Sequence, residues 1–212
     1  MKKGLLLVFI VFFSCRSDER LERIDNLWKW FADNKNEFQY KSFEEYNLSD
    51  SLYQRTKFID PDITITFVKD SLGKTYKMII SAEGQEKCFE NVQLIASRAP
   101  HFNDFKVIEF TPRNTSTRID IQYSNVSISS EDVFFSYKNI ENSKKINVDL
   151  FVKNYKKSNA LEGVVYELLM HIVGEWDAVK SINDLKFHNI NDTLNYKVHR
   201  ITRLAKIIDE NK

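Results

Sequence analysis

The 212-residue chain carries 31 Lys and Arg against 30 Asp and Glu, a formal net charge of +1, with 16 Phe and 9 Tyr but only 5 Gly and 3 Pro. So even a balance lacks the basic excess that a nucleic-acid-binding face requires. So aromatic a composition, poor in Gly and Pro, is that of an ordered globular chain and excludes a disordered one.

At the N-terminus, Lys2 and Lys3 precede an uncharged apolar run of nine residues, Leu5 to Phe13, too short for the ~20 residues with which a helix crosses a bilayer. A basic start followed by a short apolar run is the grammar of a secretory leader. The run ends Phe12, Phe13, Ser14, Cys15, a small residue before a cysteine, and resembles a bacterial lipoprotein signal. That resemblance implies that residues 1–14 are a signal peptide, that cleavage falls before Cys15, and that the Cys15 thiol is diacylated. The protein is then expected to be a membrane-anchored lipoprotein of the cell envelope, on the periplasmic side or at the cell surface. An ordinary secretory signal cut nearby, or an uncleaved anchor, is the alternative. Residues 15–20, with the charged stretch "RSDER", read as the tether, since Asp18 and Glu19 are most cheaply kept in water. Acids directly after the acylated cysteine also resemble surface-export signals of Gram-negative lipoproteins. Loss of residues 1–14 removes Lys2 and Lys3 and no acid, leaving 29 basic against 30 acidic residues. Cys88 is then the one cysteine besides Cys15, so no disulfide can form within the mature domain.

From Leu21 onward, Ile24, Leu27, Trp28 and Phe31 fall at helical spacing and predict an amphipathic helix over residues 20–34. An aromatic segment follows through Phe38, Tyr40, Phe43 and Tyr46. "DPD" at 60–62 stops any helix, because Asp60 is biased to extended backbone by the proline behind it. Then one pattern occurs twice. Strands at 63–68 and 76–82, a helix at 85–98 and a strand at 105–110 are followed by strands at 133–138 and 146–152, a helix from Ala160 to about Trp176, and a strand at 184–190. The first and second strands of the copies each start 70 residues apart. An extra strand is expected at 117–123, and a last helix at about 193–211. The expected fold is α+β: two layers, a mainly antiparallel sheet built from a duplicated strand-strand-helix-strand unit (repeats 63–111 and 133–190), with flanking N- and C-terminal helices. Residues 21–212 are read as a single domain.

Several stretches, "LWKWF" (27–31), "ISAEG" (80–84) with Phe89 and "AP" (99–100), "VIEFTPR" (107–113), "DVFFSY" (132–137) and "VDLFVKNY" (148–155), together resemble the bacterial domain-of-unknown-function family numbered six hundred and ninety-five. The likeness covers about residues 25–190. It implies one coherent domain, and since that family has no known catalytic or ligand residues, none is carried over.

Chemistry-bearing patterns are few. Glu167, His171 and Glu175 recur every fourth residue on the helix expected at 160–176 and could turn three ligand atoms towards one cation. They also fall at the border of its apolar stripe, where charged residues ordinarily meet water. His101, His188 and His199 are scattered, and Cys88 sits on an apolar helical face with Phe89, Val92 and Ile95, as a structural thiol does. The helix N-terminus after "ISAEG" could hold an anion, but Glu83, Glu86 and Glu90 crowd it with negative charge. No GxSxG, GxxxxGK, GxGxxG or CxxC motif is present, and no cofactor is expected. Lys197, Arg200, Arg203 and Lys206 would form a basic strip on the last helix, for lipid headgroups or an acidic partner, or simply for solvent. The expectation is a lipid-anchored, non-enzymatic module that binds an envelope partner and no nucleic acid. The alternative is a metal-assisted envelope hydrolase using Glu167, His171 and Glu175.

Overall fold

A computed structural model describes residues 8–40, 46–69 and 75–212, with side chains described for residues 19–38, 50–69 and 75–212. The side chains of Phe12 to Cys15, on which the lipoprotein signal rests, lie outside the described residues, as do Phe43 and the first turn at 70–74. Among the described residues no helix is long and apolar enough to cross a membrane. The chain divides into two compact units, Met1–Glu109 and Phe110–Lys212.

In the first unit, α1 (Val8–Tyr40) contains the helix expected at 20–34 and runs beyond it at both ends. α2 (Tyr46–Ile59), β1 (Thr64–Lys69) and β2 (Tyr76–Ser81) follow. A single 3-10 turn, Glu86–Cys88, leads into α3 (Phe89–Ser97), and β3 (Phe105–Glu109) closes the unit. The sheet order is β1-β2-β3, with β1 antiparallel and β3 parallel to β2. A strand that returns through a helix can pair parallel, whereas a tight turn forces antiparallel pairing. The predicted stripe of α1 is the buried one: Ile24, Leu27, Trp28 and Phe31 are at most 3% exposed. Phe31 packs edge-on against Phe102 and Phe105, with ring centres 5.3 and 5.1 Å away. The buried Trp28 indole donates to the Ile95 carbonyl at 2.9 Å, which ties α1 to α3. α2 is an element the sequence reading did not contain. It buries Leu52 and Thr56 and ends at Ile59, directly before Asp60 and Pro61, where the stop was expected.

In the second unit, β4 (Asp120–Tyr123) and β5 (Val126–Ser129) form a hairpin, and Ser124 in its turn adopts φ 55°. β6 (Val133–Asn139) and β7 (Ile146–Val152) precede α4 (Asn159–Val173), α5 (Glu175–Lys180) and β8 (Ile182–Asn189), and a two-residue β9 (His199–Arg200) and α6 (Leu204–Glu210) end the chain. The sheet order is β8-β7-β6-β9, with β6 antiparallel and β8 parallel to β7. The strand-strand-helix-strand topology of the first unit, with the same strand order and directions, therefore recurs in the second. Alternation decides the buried face of β7: Ile146, Val148, Leu150 and Val152 join the core with Val165, Leu168, Leu169 and Ile172 of α4. Ser158 caps α4, its hydroxyl accepting from the Leu161 amide at 3.2 Å.

Three expectations are corrected here. The helix expected at 160–176 breaks at Gly174, whose φ of 83° and ψ of 143° are open to glycine but not to a residue with a Cβ. The expected strand at 117–123 begins only at Asp120, and its partner β5 lay unrecognised in the sequence. The expected last helix is replaced by 3-10 turns at Ile190–Asn195 and Ile201–Arg203, with β9 between them and only α6 as helix. His199 and Arg200 pair with Phe135 and Phe134 at the edge of β6, so sheet pairing overrides the helical period at that point.

Candidate functional site

The corner where α2 gives way to β1 brings together chemistry the sequence spreads over almost thirty residues. Asp60 ends α2, its amide donating to the Thr56 carbonyl at 3.0 Å, and Pro61 turns the chain away. The Asp60 carboxylate is buried. Its Oδ2 accepts from the Asn91 amide at 2.7 Å, and its Oδ1 accepts from the Asp62 backbone at 3.0 Å and from the Cys88 thiol at 3.7 Å. Asn91 in turn accepts from Arg20 of α1 at 2.9 Å. Asp62 stands 2.6 Å from the Lys87 ammonium. Ligand atoms of Asp60, Asp62 and Cys88 all lie within 4.8 Å of one another, the one such grouping of His, Cys, Asp and Glu among the described residues.

The electrostatics of this corner favour a structural pin over a reactive centre. Burial, reinforced by the adjoining Asp60 charge, pushes the Cys88 thiol up to about 11. At neutral pH the group is therefore a protonated donor to Asp60 and not a nucleophilic thiolate. The Lys87 hydrogen bond holds the Asp62 carboxyl below its usual range, and Asp62 raises Lys87 in return. A thiophilic divalent cation would find two carboxylates and one sulfur here, but its entry would have to expel the Cys88 proton and displace Lys87.

Next to this corner lies an apolar groove of about 500 Å³ whose walls include Phe38, Leu52, Ile63, Ile65 and Phe67. Residues 63 to 67 contribute in unbroken succession. Successive strand residues point to opposite faces, so a groove touching all of them runs along the edge of β1. Among the described residues β1 pairs with β2 alone. Tyr53 and Phe58 of α2 are 52% and 69% exposed.

The second unit disperses the residues proposed from sequence. Glu167 and His171 are half-buried on α4, but Glu175 lies past the Gly174 break and is fully buried, its Oε2 accepting from the Thr111 amide at 2.9 Å. The four-residue row is therefore interrupted before its third member. Lys197, Arg200, Arg203 and Lys206 are all exposed, but they sit on a loop, on β9, on a 3-10 turn and on α6, so no single helix carries them as a strip. His101 is exposed, and Cys88 is buried as expected. Cys15 lies outside the described side chains.

Two arrangements escaped sequence reading. His188 Nε2 lies 2.8 Å from Asp149 Oδ1, its ring stacked on Phe151 at 5.1 Å and tilted against Tyr196 at 5.9 Å. The parallel register of β7 and β8, with Phe151 opposite His188, creates that contact; once the strands are known, alternation puts Asp149, Phe151 and His188 on one face. Arg113 gathers Asp177 at 2.5 Å, Asp209 at 2.7 Å and the Val173 carbonyl at 2.7 Å. No local signal joins those four positions.

Comparison of the chain with protein-family models, with curated proteins and with solved structures finds no match.

Proposed function

We propose that the protein is a lipid-anchored cell-envelope module that binds a partner and performs no reaction of its own. The anchor rests on the order of residues at the N-terminus: Lys2 and Lys3, a short apolar run, then Ser14 and Cys15. The observation that carries the binding reading is the groove along the β1 edge, lined in part by the exposed Tyr53. Aromatic side chains next to an apolar depression are the usual material of an interaction surface. The state of the polar groups agrees with this. Cys88 is held protonated, Glu175 is bonded to Thr111, and Asp177 and Asp209 share Arg113, so each serves the fold.

The test places a photoreactive amino acid at the groove-lining Tyr53 or, as a control in the second unit, at the 70%-exposed Tyr123, in the full chain expressed in a Gram-negative host. Illumination of membranes is expected to give an adduct of discrete mass from position 53 and none from position 123. Equal labelling at both positions, or none at either, would overturn the binding reading.

A further inference from the structure

We draw no further inference here: the strongest candidate, the Asp60, Asp62 and Cys88 cluster between the end of α2 and the start of α3, is an acidic pair with one cysteine whose polar groups are bonded to one another, to Asn91 and to Lys87, and no second observation points to a ligand.

Discussion

Glu175 and Thr111 are joined by two hydrogen bonds, the Thr111 amide donating to Glu175 Oε2 at 2.9 Å and the Glu175 amide donating to the Thr111 carbonyl at 2.9 Å. Glu175 is fully buried, so truncation would leave the Thr111 amide without this acceptor. Leaving a buried donor unsatisfied costs about 1–3 kcal/mol. Glu175→Ala is therefore expected to lower the unfolding free energy by about 2 kcal/mol in urea denaturation, with Glu175→Gln falling in between. An unchanged midpoint would show that the side-chain bond is incidental.

The break that frees Glu175 from α4 depends on Gly174. A Cβ at this position would lie 3.2 Å from Arg113 Cγ, on a backbone with φ 83°. Holding a non-glycine residue in such a region costs about 1–3 kcal/mol, so Gly174→Ala should destabilise by that order. The same substitution at Gly163, where nothing stands within 4 Å, should be neutral or stabilising, since alanine favours helix by up to about 1 kcal/mol. Thermal unfolding of the two variants side by side decides the point.

Arg113 supplies a pH signature. Its hydrogen bond to Asp209 holds that carboxyl below the usual aspartate range. A depressed folded-state pKa gives stability that is complete above the unfolded value, near 4, and is lost as pH falls through the folded value. Wild type should therefore lose stability as the pH falls below about 4, and Arg113→Ala should flatten that slope besides costing about 2 kcal/mol at neutral pH through its lost charged hydrogen bonds. Denaturation curves at pH 7, 4 and 3 check both effects. An unaltered slope in the variant would contradict the assignment.

Cys88 behaves in the opposite sense. Its folded-state value of about 11 lies above the ordinary thiol, so its contribution is present at neutral pH and fades as pH rises from the unfolded value, about 8.5, through the folded one. The native thiol is expected to resist iodoacetamide at pH 7.5 and to react once the chain is unfolded. Asp60→Asn removes the neighbouring charge and should move the onset of reaction to lower pH. Rapid labelling of the native protein at pH 7.5 would rule out a buried, protonated thiol.

How legible the molecule is in its sequence varies with how local the signal is. The stripe Ile24, Leu27, Trp28, Phe31 and the alternation through Ile146, Val148, Leu150 and Val152 are local, and both became core. The 70-residue offset of paired strands foretold the repeated topology, because a strand turn and a crossover helix each leave a pattern of their own. α2 was missed since, among its described side chains, Leu52 and the polar Thr56 alone are buried, which leaves no clear apolar period. β9 was missed because the pairing of His199 and Arg200 with β6 is a long-range event that overrides a helical pattern. The polar groupings were the least legible. Asp60 meets Cys88, and Asp149 meets His188, only after α3 and β8 have been placed, and the spacing of Glu167, His171 and Glu175 held no hint that Gly174 would divide them.

The most direct test of the central claim is the intact mass of the membrane-associated product from wild type and from Cys15→Ala, each expressed in a Gram-negative host. A lipid-anchored module predicts a wild-type species that begins at Cys15 and carries added acyl chains, absent from the variant. An unmodified wild-type chain, or identical masses for the two, would contradict it.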